Sequence, residues 1–115
     1  MSTLNYEDVG EDLRRIIISG RLDTSGANST AAQLVELAKE PKKAVVVDLS
    51  AVQFLASVGI GALITSAKAV KGRGAKMALV VDKGSAVMMS LEATGTDQLI
   101  PVFRKLSDAE SAALA

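Results

Sequence analysis

Ser57 and three carboxylates, Asp23, Asp48 and Asp82, stand where this chain could most readily do chemistry, because each lies at the end of an apolar, β-branched stretch. The segment leading to Ser57 is the most specialised. In Val45-Val46-Val47-Asp48-Leu49-Ser50-Ala51-Val52-Gln53-Phe54-Leu55-Ala56-Ser57-Val58-Gly59-Ile60-Gly61-Ala62-Leu63-Ile64, an apolar strand ends in a carboxylate. A short loop then delivers a hydroxyl, and small residues open a helix. A hydroxyl at a helix N-terminus caps free backbone N–H groups, and a phosphoryl group there meets the positive end of the helix dipole. The residues therefore leave two readings, a capping serine and a phosphorylation switch. Asp48 is expected to be structural, its carboxylate accepting N–H bonds from the loop that leads to Ser57, with Ser50 tied up in the turn.

Other chemistries find little support. Gly59-Ile60-Gly61 imitates a dinucleotide-binding fingerprint, but its glycines do not directly follow the strand and Ile64 occupies the third small-residue place. No lysine-containing phosphate loop is present. The chain has no histidine and no cysteine, which removes the usual general base, the commonest metal ligand, disulfides and thiol chemistry. Asp23, Asp48 and Asp82 come from separate loops without metal-ligand spacing, so no metal or other cofactor is expected. A carboxylate pair formed by Asp23 and Asp48 remains the one enzymatic alternative.

The elements that must position Ser57 follow from hydrophobic periodicity. Leu4 and Tyr6 alternate with polar neighbours and Arg15-Ile16-Ile17-Ile18 reads as a strand, with the turn between them around Gly10 and Glu11, so a hairpin opens the domain. Gly20 closes that strand. Thr24 to Asn28 is rich in turn and cap residues, and Leu34, Leu37 and Ala38 then fall at helical spacing until Pro41. Ala44 to Asp48 reads as a buried strand. After Ser57, the residues Ile60, Leu63, Ile64, Ala67 and Val70 trace one apolar helical face that leaves Lys68 and Lys71 to solvent, and Gly72-Arg73-Gly74 ends the helix. Met77 to Val81 is a strand, and Ala86 to Ala93 a short helix stopped at Thr94-Gly95. Leu99 to Phe103 reads as an edge strand, and Ser107 as the cap of a closing alanine-rich helix. Met88 and Met89 read as core filler. The order β-β-α-β-α-β-α-β-α gives an α/β domain: a mostly parallel mixed sheet of about five strands, with about four helices and an opening β-hairpin.

Composition bounds the rest. A length of 115 residues fits one domain spanning 1–115, and 49% hydrophobic residues supply its core. The 13 basic and 13 acidic residues cancel, and the basic ones are scattered without aromatic platforms, which argues against direct nucleic-acid binding. No apolar run reaches membrane-spanning length and no targeting segment is visible, so no membrane insertion is expected and the cytosol is the expected compartment.

Taken in order, these words resemble a known family. Gly20-Arg21-Leu22-Asp23-Thr24, Val45-Val46-Val47-Asp48-Leu49-Ser50 and Val52-Gln53-Phe54-Leu55-Ala56-Ser57-Val58-Gly59-Ile60-Gly61-Ala62-Leu63 resemble the STAS domain of bacterial anti-sigma factor antagonists. Gly72-Arg73-Gly74-Ala75-Lys76-Met77 and Met89-Ser90-Leu91-Glu92-Ala93-Thr94-Gly95 resemble that family's later turns. The resemblance implies a regulatory protein, not an enzyme. It implies that Ser57 is the phosphoacceptor and that the unmodified protein binds a serine-kinase anti-sigma factor, freeing the sigma factor. Phosphorylation by that kinase ends the capture, and a phosphoserine phosphatase is a further candidate partner. Because the loops after parallel strands emerge at one end of the sheet, the expected contact surface comprises Asp23, Thr24, Ser25, Ala56, Ser57, Val58, Gly59 and Gly61. Two places depart from the family: Ala56 stands where an aspartate usually precedes the acceptor, and Val58 where a second hydroxyl usually follows it. A STAS accessory subunit of a transporter or sensory complex, without phosphorylation, is the alternative within the same fold.

Overall fold

Ile16-Ile17-Ile18 and Val45-Val46-Val47 form the centre of a five-stranded sheet, because side chains branched at Cβ pack well on a pleated surface and alternate between its faces. The computed structural model describes residues 2–22 and 27–115. The elements are β1 (Ser2–Val9), β2 (Leu13–Leu22), α1 (Ala27–Lys39), β3 (Ala44–Leu55), α2 (Ser57–Gly72), β4 (Lys76–Val80), α3 (Ala86–Thr94), α4 (Thr96–Leu99), β5 (Val102–Phe103) and α5 (Leu106–Leu114). The strands lie in the order β1-β2-β3-β4-β5. The β1–β2 hairpin is antiparallel and the other pairings are parallel, as the alternation of elements requires.

Alternation along the strands builds two cores. Ile16, Ile18, Val45, Val47, Leu49, Met77, Leu79 and Val81 face Leu34 of α1, Leu63 and Val70 of α2, and Val87 and Leu91 of α3. The opposite face presents Leu13, Ala44, Val46, Ala78 and Val80 to Ala109 and Ala113 of α5. Small alanines on both partners let α5 lie close to that face.

Several expected boundaries are corrected. β3 does not end at Asp48 but continues to Leu55, since Ala51 to Leu55 pair with Ser19 to Leu22 of β2. For the same reason Gly20 does not close β2: it sits at a register shift inside the strand, with a positive φ of 92° that glycine adopts at little cost. The edge strand expected over Leu99 to Phe103 shrinks to Val102–Phe103, because a one-turn helix takes up Thr96–Leu99. Ser107 is not a cap. Lys105 holds the N-cap position of α5, which has no side-chain cap bond. Met88 packs against the core as expected, but Met89 is 64% exposed. Gly95, with φ 75°, ends α3 as read.

Candidate functional site

The Ser57 segment is held where the longer β3 hands the chain to α2. Beyond Asp48, which pairs with Val80, β3 outruns β4 and is paired with β2 alone. The Ala56 N–H donates to the Leu22 carbonyl at 2.9 Å, pinning the start of α2 to the end of β2. Ala56 is the N-cap residue, with extended backbone, and it offers no side-chain acceptor. Ser57 is therefore the first helical residue and not the cap. Its side chain is exposed, α2 has no side-chain cap bond, and the first turn carries no acidic residue. The N–H groups of that turn thus remain available to an anion, at the positive end of a 16-residue helix.

The flanking small residues divide by face. Val58 is exposed and so is Gly61, whereas Gly59 is buried: a Cβ built on it would come within 2.5 Å of Leu55 Cδ1 and 3.4 Å of Leu22. Its expected place on the contact surface is thereby corrected, since glycine at 59 lets α2 approach β2 and β3. Asp23, Thr24 and Ser25 lie outside the described residues.

Asp48 bonds within its own strand. The strand period puts it on the same face as Ala44 and Val46, toward α5 and away from the helices that follow Ser57. Its Oδ1 accepts the Ser50 N–H at 2.9 Å and the Ser50 hydroxyl at 2.6 Å. Ser50 is tied up as expected and Asp48 accepts its N–H, although β3 and not a loop carries the chain onward from there. Asp82 is exposed beyond β4, and among the described residues no group of acidic side chains could hold a metal ion.

Residues beyond the expected contact surface, Phe54, Ser90 and Ala93 among them, complete the site. An open groove of about 550 Å³ runs beside Ser57, with Phe54, Ile60, Gly61 and Ile64 along one side and Ser90 and Ala93 of α3 along the other. Phe54 is 39% exposed and its ring lies under the Arg21 guanidinium, 4.9 Å from carbon to centroid. Simple alternation would send Phe54 to the same face as buried Val52. A bulge intervenes: Gly20 pairs with Val52 and Arg21 with Phe54, so Gln53 is the extra residue and Phe54 turns outward.

A sheet of this order, with an exposed serine opening α2 after the second parallel strand, matches the STAS domain family model over residues 9–109. The chain belongs to the STAS domain family. Within that family this STAS domain is 33% identical over 92 residues to the anti-sigma-F factor antagonist RsfB of Mycobacterium tuberculosis, covering 80% of this chain and 74% of that protein. In structure it resembles an anti-sigma factor antagonist from Mycobacterium paratuberculosis, with a TM-score of 0.89 and 27% identity over 100% of this chain and 96% of the other. SpoIIAA in its unphosphorylated form shares the fold, with a TM-score of 0.77 and 14% identity over 96% of this chain and 95% of the other. The STAS domain has no described helix long and apolar enough to cross a membrane.

Proposed function

We propose that this STAS domain is an anti-sigma factor antagonist switched at Ser57. Unmodified, it binds a serine-kinase anti-sigma factor and so frees the sigma factor. Phosphorylated, it lets the kinase go. The observation that carries this reading is the exposed Ser57 hydroxyl at the first position of an uncapped helix, beside an apolar groove, in a chain similar to a named antagonist.

The physical account runs from docking to release. Ser57, Val58 and Gly61, with Phe54 beside them, offer a surface from which water is readily displaced, and a partner of standard size would cover about 800 Å² of it. Asp23, Thr24 and Ser25, which follow Leu22 in the sequence, are proposed as further contact residues. In the transfer step the Ser57 oxygen bonds to the γ-phosphorus of ATP, the bond to the bridging oxygen breaks, ADP leaves and the hydroxyl proton is released. The product carries about −1.5 to −2 charge. Free N–H groups of the first turn hold that charge on the antagonist, while the same charge disfavours an interface built on apolar contact. A phosphoserine phosphatase would restore the hydroxyl.

Incubation with the kinase and ATP, read by mass spectrometry and native gels, tests the switch. Phosphate is expected at Ser57 alone, with loss of the complex. Ser57→Ala should bind constitutively and Ser57→Asp poorly. Ala56→Asp should speed the transfer if a carboxylate there orients the hydroxyl. Ala56 itself favours a second reading, an accessory subunit that docks without phosphorylation. An intact complex that never gains phosphate at Ser57 would select that second reading over the switch.

A further inference from the structure

The N-terminal half of α2 borders the Ser57 groove, but its C-terminal half borders a separate cavity of about 280 Å³. Its existence follows from the shortness of β5. That strand pairs with β4 only at Leu79 and Val80, because Pro101 has no N–H to give and α4 takes up the residues before Ile100. The first half of β4 is therefore flanked by a hollow between α2, α5 and the 99–101 segment. Val70, Met77, Ala78 and Ile100 make it apolar, and Leu99 is a half-exposed lip.

The charged side chains that line this hollow have one sign. Lys68, Lys71 and Lys76 line it, and no acidic residue does. Lys76 Nζ donates to the Ala115 carbonyl oxygen at 2.8 Å, which uses one of its three N–H groups. Lys68 and Lys71 are exposed, one helical turn apart on α2, and neither has an ion pair or hydrogen bond from its side chain among the described residues. Neighbouring like charges on a helix repel, and an anion between them relieves that repulsion.

We propose that this cavity binds a small organic monoanion with an apolar body, a carboxylate whose chain lies on the Val70, Met77 and Ile100 floor and whose head meets Lys68 and Lys71. An apolar hollow with a few convergent polar groups is the general form of a small-molecule site, and this one lies just below the usual range of about 300–1,000 Å³, which favours a small ligand. The site goes beyond the Ser57 switch and does not depend on it.

Titrating the isotope-labelled protein with octanoate, followed by NMR, tests the proposal without kinase or ATP, so its outcome is independent of the switch. Saturable shifts are expected at Val70, Met77, Ala78, Leu99 and Ala113, with a dissociation constant on the order of 1 mM. Octanamide, with the same chain and no charge, should bind about tenfold more weakly, and so should octanoate to the Lys68→Glu/Lys71→Glu double variant. Shifts that do not saturate, or that centre on the Ser57 groove, would overturn the proposal. Equal affinity for octanamide would overturn it too, and that comparison needs no variant to fold.

Discussion

At the scale of single residues, two serines on α2 make opposite demands. Ser57 is exposed and the helix has no side-chain cap bond, so removing its hydroxyl deletes no hydrogen bond among the described residues and the Ala variant serves as a clean functional probe. Ser66 is fully buried and its Oγ has no hydrogen-bond partner among the described residues. A buried hydroxyl without a partner costs the folded state, and alanine is the better helix former. Ser66→Ala is therefore expected to raise stability by about 1 kcal/mol, seen as a higher urea midpoint with an unchanged slope. A loss of stability would mean that the hydroxyl has a partner, such as an internal water.

At the scale of elements, the placement of α2 rests on a glycine and an arginine. Gly59→Ala drives a methyl into Leu55, itself 3% exposed, so the helix-propensity gain is outweighed and a net loss of about 1 kcal/mol is expected. Gly61→Ala meets nothing within 4 Å and should gain about 0.5–1 kcal/mol. Thermal melts of the two variants, two residues apart on one helix, should shift in opposite directions. Beyond the other end of α2, Arg73 Nη1 donates to the Ala38 carbonyl at 2.6 Å, and Nε and Nη2 donate to the Lys42 carbonyl at 3.3 and 3.1 Å. Arg14 Nη1 donates to the Leu37 carbonyl at 3.0 Å, so two guanidinium groups satisfy the end of α1. Burial, and then the charge of Arg14, lower the Arg73 pKa, yet its fork still spans both carbonyls. Arg73→Ala should cost about 2 kcal/mol in chemical denaturation. Arg73→Lys should recover only part of that, since an ammonium lacks the fork.

At the scale of the whole molecule, ion pairs lace the two strands of the opening hairpin together, and Arg14–Glu40, Lys42–Asp8 and Arg15–Glu110 tie it to the body. Arg14 Nε and Nη2 hold the Asp8 carboxylate at 2.7 and 3.0 Å, while Arg15 pairs with Glu7 and with Glu110 of α5. The Arg14 hydrogen bond, with the charges of Arg14 and Lys42, holds the Asp8 pKa below its ordinary value. A depressed folded-state pKa gives stability that is present above the unfolded value and is lost as pH falls through the folded one. The stability gap between wild type and Asp8→Asn should accordingly close as pH falls below about 4, a window set by the ordinary aspartate value. Denaturation midpoints of both proteins across that range check it, and a gap that stays constant would remove Asp8 from the acid dependence.

Local rules carried far into this protein. β-Branched runs marked the cores of β2 and β3, 3.6-residue spacing marked α1 and α2, and Gly95 marked the end of α3, because each signal lies within a few residues. The resemblance around Ser57 placed the candidate switch on the same local footing. Tertiary pairing settled what lies beyond that range. β3 reaches Leu55 because β2 supplies hydrogen-bond partners 32 to 33 residues away, as in Ser19↔Ala51 and Leu22↔Leu55. A bulge in that pairing turns Phe54 outward into the groove, and the strand face carries Asp48 away from Ser57. Ser90 and Ala93 entered the groove from α3, more than 30 residues further along the chain than Ser57. A sequence states which residues each element contains. Which of them meet depends on register, and register is fixed only when distant strands close on one another.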